Sequence, residues 1–294
     1  MLKNFIYHIL QETNITWRTI KNDYNTTLIP ITTYFIFSAS RTPNPKILKV
    51  LTTSILYATA YIVPFCISNQ LNGIEEDKLE KPYRPLPAGL ITIKGAINRY
   101  IIWNMLLMII SKKLGVMKWS VLWMIVTVYH NFLNGDKHFF TKNIISMTLG
   151  TAAQFGAAWN SYHPTMSRDK KVWMWMVSIW IGIMANIQDF RDIEGDLKSH
   201  RKTLPIVLGN NQARIVMSFV SMTSGLILHK LFKDFNSKPL AKAVNIGVLG
   251  WHFLIAARLW FARSHQADQI TYKYHLSFLY CTVVLSSFIF LKKQ

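Results

Sequence analysis

Across 294 residues, 51% are hydrophobic, 13% aromatic and only 16% charged, which excludes an ordinary soluble domain and fits a polytopic membrane protein. Thirty-three Lys and Arg against 14 Asp and Glu give a net charge of +19, and in so apolar a chain this points to anionic headgroups or an anionic substrate rather than nucleic acid. The two cysteines, Cys66 and Cys281, both fall inside apolar runs, so neither a disulfide framework nor a cysteine zinc site can be built.

At the N-terminus, Leu2, Phe5, Ile6, Ile9, Leu10, Trp17 and Ile20 recur at helical spacing. Residues 1–26 therefore read as an amphipathic segment lying on the membrane surface, and no cleavable-signal pattern is present. Apolar runs then place nine spans near residues 27–40, 47–68, 96–111, 116–132, 144–160, 171–188, 213–230, 241–259 and 273–291. Each must satisfy its own backbone in lipid, and lengths of 14 to 22 residues are wrong for barrel strands, so the expected fold class is all-α with nine transmembrane helices. No linker interrupts residues 27–294, which read as one transmembrane domain.

With nine spans, the loops after spans 2, 4, 6 and 8 share the side of the N-terminus. Twelve of the 14 acids fall on that side, and only Asp169 and Asp234 fall on the other. Lys and Arg divide 18 to 15, too evenly for the positive-inside rule to orient the chain. The acids also gather at two corners: Glu75, Glu76, Asp77 and Glu80 follow span 2, while Asp189, Asp192, Glu194 and Asp196 follow span 6.

In the first corner, Asn69-Gln-Leu-Asn-Gly-Ile-Glu-Glu-Asp77 precedes Lys81-Pro-Tyr-Arg84-Pro. If the helix continues through it, Asn69, Gly73 and Asp77 lie one turn apart on one flank, with Glu76 beside them. In the second, Asp189, Asp192 and Asp196 at i, i+3 and i+7 put three carboxylates on one helical face, ahead of Lys198, Arg201 and Lys202. Mutual repulsion calls for a cation, and hard oxygen ligands without His or Cys indicate Mg2+, which binds a few carboxylates together with phosphate oxygens. Basic residues after each motif can bind the same phosphates.

These residues resemble the UbiA superfamily of intramembrane prenyltransferases. Asn69, Asp77, Arg84 and Pro85 fall in register with its Asn-Asp-x-x-Asp-x-x-x-Asp and Arg-Pro pattern, and Asp192-Ile-Glu-Gly-Asp196 reproduces its second loop. Gln70 and Gly73 depart from it, standing where the family has aspartates, and Glu76 is positioned to compensate. The altered motif, with a third corner from Tyr129-His-Asn-Phe-Leu-Asn-Gly-Asp through Lys137 to Lys142, looks like the fungal branch of membrane-bound terpene cyclases.

The resemblance implies a helical bundle around a central cavity and an endoplasmic-reticulum membrane enzyme whose Asp-rich loops face the cytosol. It implies Mg2+ held by Asn69, Glu76, Asp77, Asp189, Asp192 and Asp196, and an isoprenyl diphosphate held by Arg84, Lys142 and Lys202, with Tyr129, Lys137, Arg191 and Arg201 as further candidates. The expected reaction is ionisation of a linear prenyl diphosphate, farnesyl ahead of geranylgeranyl, followed by cyclisation. Tyr61, Phe65, Phe155, Trp159, Trp173, Trp175 and Trp180 are the aromatics available to stabilise the cation.

An alternative uses the same metal site to transfer the prenyl group to an aromatic acceptor. A cation transporter is disfavoured, because transport acids sit near mid-membrane whereas these sit at helix ends. Gln154, Asn186 and Gln188 are read as helix-to-helix hydrogen bonders, the nine His lack metal-ligand spacing, and the sequons at Asn14 and Asn25 are expected to stay unmodified on the cytosolic side. Nothing indicates an obligate protein partner.

Overall fold

The structure, a computed structural model, describes residues 2–233 and 238–291, with side chains at all of these except 2–5 and 79. Asp234, one of the two acids expected on the far face, lies outside the described residues, as do the last residues of the expected 27–294 domain.

The first helix, α1 (Leu2–Ile20), exposes Ile6, Tyr7, Ile9, Leu10 and Trp17. Its last turns belong to the bundle, because Ile15 and Ile20 pack with Ile62, Cys66, Ile67 and Leu86. A π-helical turn at Tyr24–Leu28 leads into α2 (Ile29–Ala39), so the helix runs through the expected boundary at residue 26. There follow α3 (Ile47–Asn72), the short α4 (Ile74–Glu80), α5 (Ile93–Leu114) and α6 (Met117–Phe132).

A second π-helical turn, Phe140–Met147, opens α7 (Thr148–Asn160), and α8 (Arg168–Met184) tightens into a 3-10 turn at Ala185–Phe190. Then come α9 (Ile193–Lys198), α10 (Leu204–Leu208), α11 (Asn210–Phe232), α12 (Pro239–Phe261) and α13 (His265–Ile270). A third π-helical turn, Thr271–Leu276, joins α13 to α14 (Ser277–Leu285), and α15 (Ser287–Phe290) ends the described chain. Among the described residues there is no strand, only an isolated bridge between His138 and Lys202.

The all-α class agrees with the sequence reading, and each predicted span lies largely within helix, without this establishing nine membrane crossings. Among the described residues, five stretches are long and apolar enough to cross a bilayer: Ile47–Asn72, Ile93–Leu114, Asn210–Phe232, Pro239–Phe261 and His265–Phe290. The others are shorter, α6 at 16 residues and α8 at 17. The lateral helix α5 has only 11% of its most apolar window buried, against 61% for α3, so α5 presents most of its surface outward while α3 is central.

The innermost helix is α7, where every residue from Thr148 to Trp159 except Leu149 is buried. Its small residues let neighbours approach closely. A Cβ on Gly150 would lie 2.5 Å from the Trp123 ring, so glycine there is a packing requirement. Behind the second acidic corner a buried bidentate ion pair ties α11 to α13, with Arg214 Nη1 and Nη2 2.9 and 2.6 Å from the Asp268 carboxylate oxygens. The Arg214 guanidinium also lies over the Phe190 ring at 4.6 Å, supporting the segment that carries Asp189.

Candidate active site

The two acidic corners and the third corner meet at one end of the bundle. In the first corner α3 does not continue unbroken, because Gly73 takes φ −125° and ψ 39° between α3 and α4. One-turn spacing survives the break, since Gly73 N donates to Asn69 O at 3.0 Å and Asp77 N to Gly73 O at 2.9 Å. Asn69 and Asp77 therefore reach the same cation: Arg84 Nη1 donates to Asn69 Oδ1 at 2.9 Å and to Asp77 Oδ2 at 2.7 Å. Gln70 is buried and accepts from Leu86 N at 3.3 Å, so at this position an amide pins the turn that carries Arg84.

The second corner also departs from the single helical face expected from its spacing. Asp189 lies in the 3-10 turn, Asp192 at the N-cap position of α9 and Asp196 within α9, so the carboxylates are divided among different bases, with Lys142 shared by Asp189 and Asp196. Lys142 Nζ is 2.8 Å from Asp189 Oδ1 and 3.7 Å from Asp196 Oδ1, and Asn143 Nδ2 donates to Asp189 Oδ2 at 2.7 Å. Arg191 Nε lies 3.1 Å from Asp192 Oδ1. The repulsion that the sequence spacing implies is thus answered by protein bases.

Arg201 joins all three corners. Its Nη1 donates to Glu76 Oε1 at 2.6 Å and to Asp196 Oδ1 at 3.2 Å, and its Nε donates to Asp136 Oδ2 at 3.0 Å. The turn that aims it is a Schellman motif closing α9: Arg201 N donates to Asp196 O, His200 N donates to Leu197 O, and His200 takes a left-handed φ of 54°. Because the chain reverses there, the neighbouring Lys202 bonds through its backbone, N to Lys137 O at 2.6 Å and O from Phe139 N at 3.0 Å. Lys137 Nζ in turn donates to Ser199 O at 3.1 Å.

Burial and neighbours set the charge states. Burial alone would raise the Glu76 carboxyl, but Arg201 and the Ser199 hydroxyl hold it below its ordinary range. Burial opposes ionisation of Asp192 too, and Arg191, Lys81 and Lys142 outweigh it. Among the described residues Lys81 is the one basic group within 4 Å of Glu80, at 3.9 Å, and burial with the nearby Asp192 charge pushes Glu80 up to about 7. Glu80 sits so close to α9 that a Cβ on Gly195 would overlap its carboxylate, which makes Gly195 the contact point between the first and second corners.

These groups surround a cavity. Of the residues expected to act, Asn69, Glu76, Arg84, Lys142, Arg191, Asp192 and Arg201 line it. Asp77, Asp189 and Asp196 stand behind this lining, buried against their bases, and Lys137, Lys202 and Tyr129 do not line it. Tyr129 packs against Gly135, and its neighbour His130 reaches the cavity instead, with its ring 5.1 Å from that of Phe65.

Deeper in, the wall is Ile62, Phe65, Trp123, Met147, Ile181 and Leu276. Phe65 is the one expected aromatic that lines it. Trp123, which the sequence reading passed over, also lines it, stacked on Tyr61 at 4.5 Å, as do Tyr272 and Tyr280. Asp23 was likewise missed. It is a single acid ahead of an apolar run, yet it lines the cavity and has no Lys or Arg within 4 Å among the described residues.

Among the described residues no three His, Cys, Asp or Glu side chains converge as a ready-made metal cage. The donor set nevertheless suits a hard divalent cation shared with a ligand's own oxygens, which needs only one or two carboxylates from each corner. Asp136 Oδ1, Asp196 Oδ2 and Glu80 Oε2 are buried without a hydrogen-bond partner among the described residues, as oxygens awaiting a cation would be.

Comparison with known proteins gives a consistent picture. The model of the UbiA prenyltransferase family matches residues 27–281. The chain is 30% identical over 269 residues to the diterpene cyclase eriG of Hericium erinaceus, covering 91% of this chain and 84% of that one. It is 28% identical over 270 residues to the somaliensene A/B synthase of Streptomyces somaliensis, covering 90% and 89%. Its fold is similar to that of a UbiA homolog from Archaeoglobus fulgidus solved with GPP and Mg2+, with a TM-score of 0.67 at 16% identity over 92% of this chain and 99% of that one.

Proposed function

This chain belongs to the UbiA prenyltransferase family, and from that premise we propose that it is a Mg2+-dependent terpene cyclase of the membrane, ionising a linear prenyl diphosphate and closing the carbocation on itself. The observation that carries the reading is one cavity with a mouth of paired acids and bases and a depth of apolar and aromatic side chains.

At the mouth, Arg84, Lys142, Arg191 and Arg201 present donors suited to diphosphate oxygens. Each is also held by a carboxylate, so an anionic substrate binds by competing with Asp77, Asp189, Asp192 and Asp196 for its cations. Mg2+ held by Asn69, Glu76, Asp77, Asp189, Asp192 and Asp196 would supply the charge that offsets the diphosphate as the allylic C–O bond breaks. Below the mouth, Ile62, Ile181 and Leu276 exclude water, and Phe65 and Trp123 offer aromatic faces to a passing cation.

Similarity to a chain named a diterpene cyclase supports geranylgeranyl diphosphate, the diterpene precursor, ahead of the farnesyl diphosphate expected from the sequence. We place the enzyme in the endoplasmic reticulum with the acidic corners facing the cytosol, residues 27–294 forming the catalytic domain and α1 resting on the surface. A second reading, transfer of the prenyl group to an aromatic acceptor, is favoured by the family's own description as prenyltransferases.

The test is incubation of the membrane-embedded protein with geranylgeranyl or farnesyl diphosphate, Mg2+ and no acceptor, followed by mass spectrometry of the hydrocarbon extract. A cyclic terpene that disappears on chelation with EDTA and returns with Mg2+ is expected. Diphosphate release only when an aromatic acceptor is present would replace cyclase by transferase.

A further inference from the structure

Gln154 sits on α7 in the interior of the bundle, 6% exposed, and lines the cavity among apolar side chains. From the sequence it is expected to bond between helices, as Asn186 and Gln188 do through Asn143 at 3.1 and 2.8 Å. Its carbonyl oxygen behaves otherwise: Oε1 is buried and has no hydrogen-bond partner among the described residues. Burying a carbonyl without a partner costs free energy, and such a group in a folded protein calls for an explanation.

The neighbouring Tyr61 hydroxyl does not supply the missing donor, because it spends its proton on Gly150 O at 2.7 Å. The site is also remote from the mouth, because Gln154 follows Lys142 by 12 residues of continuous helix, roughly 18 Å along the axis at the α-helical rise. Thr151 and Tyr280 line the same cavity, and the Tyr61, Trp123 and Phe65 rings stack beside it.

An oriented carbonyl dipole stabilises positive charge most where water is excluded. In prenyl transfer the charge stays on the allylic carbons next to the diphosphate, and a dipole this far down would face uncharged alkene. In cyclisation, alkene π electrons attack the allylic cation and the charge moves to the more distant isoprene carbons, which the depth of the cavity receives.

Resting on the cyclase reading above, we propose that Gln154 is a specificity-determining residue whose carbonyl oxygen stabilises positive charge on the distal isoprene units and so selects the cyclic product.

The experiment measures diphosphate release and product distribution in the same reaction, using geranylgeranyl diphosphate and Mg2+ without acceptor. Gln154→Met keeps the length and removes the dipole. Its diphosphate release is expected to stay within about threefold of the parent, while the share of the principal cyclic product falls by about tenfold in favour of less cyclised hydrocarbons. Gln154→Glu retains an acceptor oxygen and should hold a larger share of the principal product than Gln154→Met.

A parent-like product spectrum in Gln154→Met, or a parallel loss of release and product in both variants, overturns the assignment. If the parent yields no hydrocarbon but prenylates an added aromatic acceptor, the cyclase reading fails and this inference falls with it. A parent that makes the cyclic terpene beside an unchanged Gln154→Met fails this inference alone.

Discussion

Replacing Arg201 by Gln should destabilise the protein by an amount that follows from its partners. The guanidinium serves Asp136, Asp196 and Glu76, whose side chains are 3%, 1% and 14% exposed. Removing one partner of a buried pair costs about 3–5 kcal/mol, because the remaining charge is stranded. Three carboxylates are stranded here, but Lys142 stays 3.7 Å from Asp196 and the Ser199 hydroxyl still donates to Glu76 at 2.7 Å, so the single-pair figure applies rather than three times it.

For a chain of this size that corresponds to a fall in Tm of roughly ten degrees, read by thermal unfolding in detergent. The sign with pH is fixed as well. A stranded carboxylate is easier to protonate in the folded than in the unfolded protein, so the penalty is present above the raised folded pKa and fades as pH falls towards the unfolded value. The deficit of Arg201→Gln should therefore shrink between pH 8 and pH 5 on the order of 1.4 kcal/mol for each unit by which a stranded carboxyl is raised. A Tm within two degrees or so of the parent, or a deficit that does not ease on acidification, would refute the reading of Arg201 as the neutralising link between the three corners.

Asp192→Asn removes a cavity-lining carboxylate whose side-chain hydrogen bonds among the described residues come from its sequence neighbour Arg191, so diphosphate release should drop about a hundredfold or more while Tm moves little. A steady-state assay with a melting curve on the same preparation checks both halves. Glu80→Gln should flatten the pH dependence of stability. Burial raises the Glu80 carboxyl from 4.5 to about 7, so in the parent its contribution is retained at low pH and lost as pH rises through that window. Melting curves of the two proteins that stay parallel from pH 5 to pH 8 would count against this, since the variant is expected to gain on the parent at the alkaline end.

Much of the helical content and both acidic corners were legible in the sequence, because apolar runs and one-turn spacings are local signals. The pairing of each acid with a base was not, since Arg201 reaches Glu76 and Asp136 across separations of 125 and 65 residues. Adjacent residues were also exchanged. Among the bases expected at the substrate, Lys202 stands in the sequence beside Arg201, yet the left-handed His200 turn gives the cavity to Arg201 and the backbone bridge to Lys202. Tyr129 and His130 differ in the same way, because consecutive positions on a helix face different directions. Asp23 could not stand out, since nothing local separates an isolated acid near a membrane helix from a solvated one.

The three π-helical turns among the described residues bear on how related chains line up. They fall at Tyr24–Leu28, Phe140–Met147 and Thr271–Leu276, and each supplies cavity-lining residues: Thr26 and Thr27, Lys142 and Met147, Tyr272 and Leu276. A π turn accommodates extra residue length within an otherwise α-helical run and rotates the face that follows it. Such turns mark points where a helix can gain or lose one residue without breaking. Relatives that shape the cavity differently should then differ by single-residue gaps inside these helices, where an alignment that reserves gaps for loops would misplace Lys142 and Tyr272 by one position.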